Sequence, residues 1–144
     1  MSDAAPNFDP DSFRWPVRVY WEDTDAGGLV YHASYLRFLE RARTEWLRGQ
    51  GVDQSAVRAA TGLAFLVRDL HIEFLKAAVL DDELQVTVEV KERRAASILF
   101  GQTISRADGT TLIRAQVRVA CVDLERMRPA QIPAGLIPGL PPIK

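Results

Sequence analysis

A chain of 144 residues, with 47% hydrophobic and 26% charged side chains, is sized and balanced for one soluble domain rather than a disordered or membrane-embedded chain. Its 18 basic and 19 acidic residues leave a formal charge of -1, so no overall positive field exists to gather nucleic acid and any phosphate contact must be local. The only cysteine, Cys121, rules out a disulfide or a cysteine metal cluster within one chain, and in a strand-like stretch it reads as a buried, inert thiol.

The leader, MSDAAPNFDPDSF, is acidic and lacks the basic-then-apolar order of an export signal. No apolar run approaches the ~18 residues that cross a bilayer as a helix. The expectation is a cytoplasmic protein with residues 1–12 as a polar leader. Val17, Val19 and Trp21 then alternate with Arg18 and Tyr20, which predicts a strand with that apolar set inward. It ends in EDTDAGG, residues 22–28, whose carboxylates, threonine and paired glycines predict a turn. From about His32 to Arg48 the period changes. Tyr35, Phe38, Leu39, Ala42 and Trp46 fall on one helical stripe, which Leu36 and Leu47 widen, so the helix is expected to be enclosed on more than one side. Gly49 and Gly51 mark its stop, and 52–62 carry a further helical turn or loop.

Beyond Gly62 the period is two. Strands are predicted around Leu70–Phe74, Leu84–Lys91, Ser97–Ser105 and Ile113–Val122, with a hairpin turn at 107–110. Five of the eight prolines crowd the stretch after Met127, which cannot supply a central strand and reads as an extended tail at 129–144, ordered against a neighbouring subunit. The order β-α-β-β-β-β is that of an α+β fold in which an antiparallel five-stranded sheet curls around one long central helix. The open edges of such a sheet predict pairing with a second subunit.

The segment YWEDTDAGGLVYHASYLRFLERAR, residues 20–43, carries the chemistry. Asp25 precedes Gly27 and Gly28, and a helix begins a few residues later. Glycines permit positive φ and close approach to main-chain amides, and a helix start offers unpaired N–H groups with partial positive charge. An acid beside an oxyanion pocket suits attack on an acyl carbon, with the amide of His32 as candidate donor. Asp25 then either attacks directly or draws a proton from water, and the sequence leaves both open. Asp and Thr before glycines are also ordinary turn residues, a lone histidine near a helix start is often a packing residue, and Glu22 and Asp23 read as solvated or cap-like.

This segment resembles the signature of YbgC-type acyl-CoA thioesterases, in the 4-hydroxybenzoyl-CoA thioesterase branch of hotdog proteins. The resemblance begins at FRWPVRVYWEDTDAGGLVYHASY, continues through FLERART, and returns in AFLVRDLHIEF, LDDELQV and CVDLERMRP. It implies a hotdog thioesterase domain over residues 13–128. It implies hydrolysis of acyl-CoA without metal or cofactor, CoA being part of the substrate, and a homo-oligomer, a dimer or tetramer. Members of that family often lie in the gene neighbourhood of the Tol–Pal envelope system, and the expected location is the cytoplasm, with a peripheral place at the inner membrane as a further expectation. On this resemblance Asp25 is the catalytic carboxylate and His32 supplies the oxyanion amide; Gly27, Gly28 and Tyr31 beside them are the candidate substrate contacts.

Arg94 and Arg128 are candidate contacts for CoA phosphates through charge-assisted bonds. Glu40 and Arg43, one helical turn apart, are expected to form a partly enclosed ion pair that serves packing. His71 is read as a surface or groove residue. Two other readings compete with hydrolysis: an interaction module that binds acyl carrier protein or envelope partners, and a dehydratase, against which the DTDAGG arrangement argues.

Overall fold

Period-two stretches build one antiparallel sheet, and the computed structural model describes it within residues 12–143. Residues 1–11 of the expected leader lie outside the described residues. The strands are β1 (Phe13–Arg18), β2 (Leu63–Phe74), β3 (Glu83–Arg93), β4 (Ser97–Arg106) and β5 (Thr111–Asp123), in the order β1-β3-β4-β5-β2. A two-residue β6 (Arg128–Pro129) pairs with the end of β5.

The predicted helix is α1 (Ser34–Gly49), and it buries Tyr35, Phe38, Leu39, Ala42, Trp46 and Leu47 against the sheet. The Trp46 and Phe100 rings meet edge to face at 5.4 Å. Each such side chain contributes roughly 1.5–3 kcal/mol on burial, which is why the chain curls its sheet around this helix. Leu36 differs from the expectation: it is exposed, so the apolar arc is narrower than the composition of the helix suggests. A second helix, α2 (Gln54–Thr61), follows within the stretch read as helical turn or loop.

Two further expectations are corrected. Trp21 does not continue the inward face of β1. Val17 and Val19 are buried, but the chain leaves the sheet after Arg18 and turns through a 3-10 segment at Trp21–Asp23 that puts the indole in solvent. The proline-rich stretch, expected against a neighbour, packs on its own core through Ile132 and Ile137, with Gly139 N–H donating to Gln50 Oε1 at 2.7 Å. Cys121 is buried as expected, and burial pushes its thiol pKa up.

The two sheet edges are built differently. β1 carries Pro16 between Arg14 and Arg18, features that blunt an edge. β2 spans 12 residues, begins earlier than predicted, and leaves Leu66, Val67, Leu70 and Phe74 exposed. The apolar set Leu70, Ile72 and Phe74 faces inward as its alternation predicts, opposite the buried Val117, Ala115 and Ile113, and stays partly exposed in the single chain because β2 lies at the rim of the sheet. No helix of the described residues is long and apolar enough to cross a membrane.

Candidate active site

Residues 22–32 form a clamped hairpin on the approach to α1. Asp23, read as solvated or cap-like, is a buried cap: its Oδ2 accepts from Tyr20 N–H at 2.9 Å, and Thr24 Oγ1 donates to Trp21 O at 2.8 Å. Thr24 bridges to Val30, Asp25 N–H donates to Leu29 O at 2.9 Å, and Tyr31 N–H donates to Asp23 O at 2.8 Å. The hairpin therefore ends where the helix approach begins, and its tip carries Asp25, Gly27 and Gly28.

Asp25 is exposed on the single chain. Its Oδ1 accepts from Gly27 N–H at 2.8 Å, and Gly28 N–H donates to Asp25 O at 3.0 Å. One carboxylate oxygen is thus oriented by the turn, and no hydrogen bond within the described residues holds the other. The glycines are required for distinct reasons. Gly28 has φ +79°, and a Cβ on Gly27 would stand 3.3 Å from Asp25 Oδ1.

His32 lies in a turn two residues before Ser34, not within the helix. The turn closes when Ser34 N–H donates to Tyr31 O at 2.8 Å, and α1 has no side-chain cap. The His32 amide donates to no protein acceptor among the described residues. An unspent amide at the positive end of the 16-residue α1 is suited to an oxyanion. The His32 ring lies 4.5 Å from Tyr31 and meets the exposed Phe74 edge-on at 6.4 Å. Tyr31 and Phe74 thus form an apolar wall beside the helix start, with Tyr35 behind it at 5.9 Å from Phe74.

The candidate arginines lie elsewhere. Arg94 follows β3, and its Nε donates to Glu92 at 2.6 Å, a contact that holds the Glu92 carboxyl below its usual pKa. Arg128 is exposed in β6. Ala95 and Ala96 accept from Ile132 and Cys121, so the tip bearing Arg94 and the strand bearing Arg128 share one end of the sheet. That end faces Leu63, while the Asp25 hairpin neighbours Phe74 at the other end of β2. Within one chain the structure brings Asp25, Gly27, Gly28, Tyr31 and His32 together and sets Arg94 and Arg128 apart from them.

The expected Glu40–Arg43 ion pair is not formed among the described residues. Arg43 Nη1 instead donates to Gln102 Oε1 at 3.0 Å, and Gln102 Nε2 is held by Leu39 O and Thr87 O at 3.1 and 3.3 Å. Burial pulls the Arg43 pKa down, opposed by the Glu40 charge. Gln102 went unnoticed in the sequence, although a polar residue between Phe100 and Ile104 in the inward phase of a strand was its available signal. Beside Arg43 a cavity of about 280 Å³ runs between α1 and β2, lined by Glu40, Thr44, Leu47, Phe65 and Phe100 among others. His71 is exposed. No group of three or more His, Cys, Asp or Glu that could hold a metal ion occurs among the described residues.

A model of the thioesterase-like superfamily matches residues 19–140. The acyl-CoA thioesterase YbgC of Haemophilus influenzae is 51% identical over 123 residues, which is 85% of this chain and 90% of that protein. The acyl-CoA thioester hydrolase YbgC of Escherichia coli O157:H7 is 49% identical over 125 residues, 87% of this chain and 92% of that protein. A probable thioesterase from Bartonella henselae, solved by crystallography, is similar in structure with a TM-score of 0.80 and 32% identity, covering 85% of this chain and 99% of that one. With sequence likeness this extensive joined to a curled sheet on one helix, the chain belongs to the YbgC family within the thioesterase-like superfamily and is a thioester hydrolase of the hotdog fold.

Proposed function

We propose that the protein hydrolyses acyl-CoA to free acid and CoA, with Asp25 promoting attack and the His32 amide holding the oxyanion. The observation that carries this reading is the pairing of a turn-oriented carboxylate with an uncapped helix start joined to it by the Tyr31–Asp23 bond. The thioester carbonyl carbon meets either water deprotonated by Asp25 or the carboxylate itself. Negative charge gathers on the carbonyl oxygen against the His32 amide, the C–S bond breaks, and CoA leaves as a thiolate that takes up a proton. Water completes the acid in the first route and cleaves the anhydride in the second. Carboxylate, amides and water suffice, and we propose no cofactor beyond the CoA of the substrate.

A second copy completes the site in this reading. β2 is the longer and more apolar edge, with a register shift between Val67 and Asp69, and antiparallel pairing about that midpoint sets Leu63–Leu66 of one copy against His71–Phe74 of the other. The end of one sheet that carries Arg94 and Arg128 then approaches the Asp25 hairpin of the other, where CoA phosphates would lie. The acyl group runs beside α1 and β2, whose exposed Leu66, Val67 and Phe74 would otherwise meet water.

Thiol release across short, long and aromatic acyl-CoAs tests the proposal, run beside Asp25→Asn with light scattering to follow assembly. The variant is expected to lose on the order of 10³ in kcat while keeping its fold and oligomer. Undiminished turnover by Asp25→Asn refutes the assignment.

A further inference from the structure

Residues 75–82, between β2 and β3, run beside the Asp25 hairpin and hold its return arm. Val30 N–H donates to Ala78 O at 2.9 Å, and Leu29 bridges to Val79. Since Asp25 N–H is itself bonded to Leu29 O, the main chain of the carboxylate is placed, at one remove, by residues 78 and 79.

Polar contacts fix those two residues. The buried Tyr35 hydroxyl oxygen accepts from Ala78 N–H at 2.9 Å. Asp82 Oδ2 accepts from Val79 N–H at 3.0 Å, and Asp82 N–H returns a bond to Val79 O at 3.1 Å. Arg106, the last residue of β4, spends two donors on the same loop: Nε on Asp82 Oδ2 at 3.4 Å and Nη2 on Ala77 O at 2.5 Å. Asp81 sits at φ 71°, which a non-glycine residue keeps only where its neighbours enforce it. Apolar packing adds little, since Ala77 and Val79 are exposed and Ala78 is a small side chain. Loosening the polar contacts would thus free the hairpin while leaving the core packed.

We infer that Arg106, with Asp82 and Tyr35, is a positioning residue that sets Asp25 through the 77–82 loop. The inference rests on the reading of Asp25 as the catalytic carboxylate. Arg106 suits the task because its rigid fork reaches a carboxylate and a carbonyl at once, which a lysine point charge does not. The demand is tight, since a misplacement of about 1 Å at a reacting group costs on the order of 10²-fold in rate.

Wild type, Asp25→Asn, Arg106→Gln and the double variant form the test, with Arg106→Lys and Asp82→Asn beside them. Arg106→Gln is expected to lower kcat about tenfold with KM changed less than about twofold, and Arg106→Lys to recover part of the loss. Amide exchange should quicken in residues 24–31 of Arg106→Gln while α1 and β3–β5 keep their protection. Because Arg106 acts through Asp25, its loss should add little in the Asp25→Asn background. Unchanged kcat in Arg106→Gln beside a crippled Asp25→Asn overturns the inference and leaves the Asp25 reading standing. An equal fall in both backgrounds overturns it as well, since the effect would then be general. Full activity of Asp25→Asn sinks the underlying reading instead. If Arg106→Gln does not fold, Asp82→Asn answers the same question, because it keeps the Arg106 bond to Ala77 O and removes the charge through which Asp82 holds both Arg106 Nε and Val79 N–H.

Discussion

The two α-helices among the described residues begin in opposite ways. α2 is closed at both ends: Asp53 Oδ1 accepts from Ala56 N–H at 3.1 Å, and Gly62, at φ 73°, donates its N–H to Arg58 O at 2.8 Å. α1, twice as long at 16 residues against 8, carries the core yet starts with no side-chain cap. A cap contributes about 1 kcal/mol, so its absence at the longer helix leaves orphan amides and a partial positive charge uncommitted. The difference separates a helix start that serves stability from one left available to chemistry, and the Asp25 hairpin leads directly into the second kind.

The contrast can be broken by supplying what α1 lacks. Ala33→Asp puts a carboxylate at the first turn, where its negative charge opposes the oxyanion held at the same helix start. We expect kcat to fall roughly 10²-fold while stability holds or rises by about 0.5 kcal/mol. Parallel kinetics and thermal melts check this, and a rate equal to wild type would show that the field of this helix start takes no part. A smaller effect is expected from Gly27→Ala, whose added Cβ presses on Asp25 Oδ1 and moves the carboxylate by a few tenths of an ångström. A loss of about tenfold in kcat with an unchanged melting temperature is predicted, and steady-state kinetics read it. At the other helix, Asp53→Ala should leave kcat unaltered and cost about 1 kcal/mol in urea unfolding. A loss of turnover there would erase the distinction between the two starts.

Much of the fold was legible because period carries geometry. The stripe Tyr35, Phe38, Leu39, Ala42 and Trp46 is buried as a set, and the alternation of Leu84, Val86 and Val88 places each of them in the core. The errors share a cause. The inward placement of Trp21 follows from alternation and that of Leu36 from a widened helical stripe, and periodicity does not report where a strand leaves its sheet or how far a sheet covers its helix. The Glu40–Arg43 pair was read from helical spacing, but Gln102, brought in from β4, outcompetes the carboxylate for the guanidinium.

At the site the division is similar. EDTDAGG, the glycine pair and the approach of a helix were local facts, and local chain geometry made them a turn with Asp25 at its tip. That Asp23 is buried as a cap, that the His32 amide is left unspent, and that Tyr35, Asp82 and Arg106 converge on one loop could be decided only by tertiary structure. Those contacts join residues far apart in the chain, and no pattern of neighbours encodes the register in which a sheet closes over its helix.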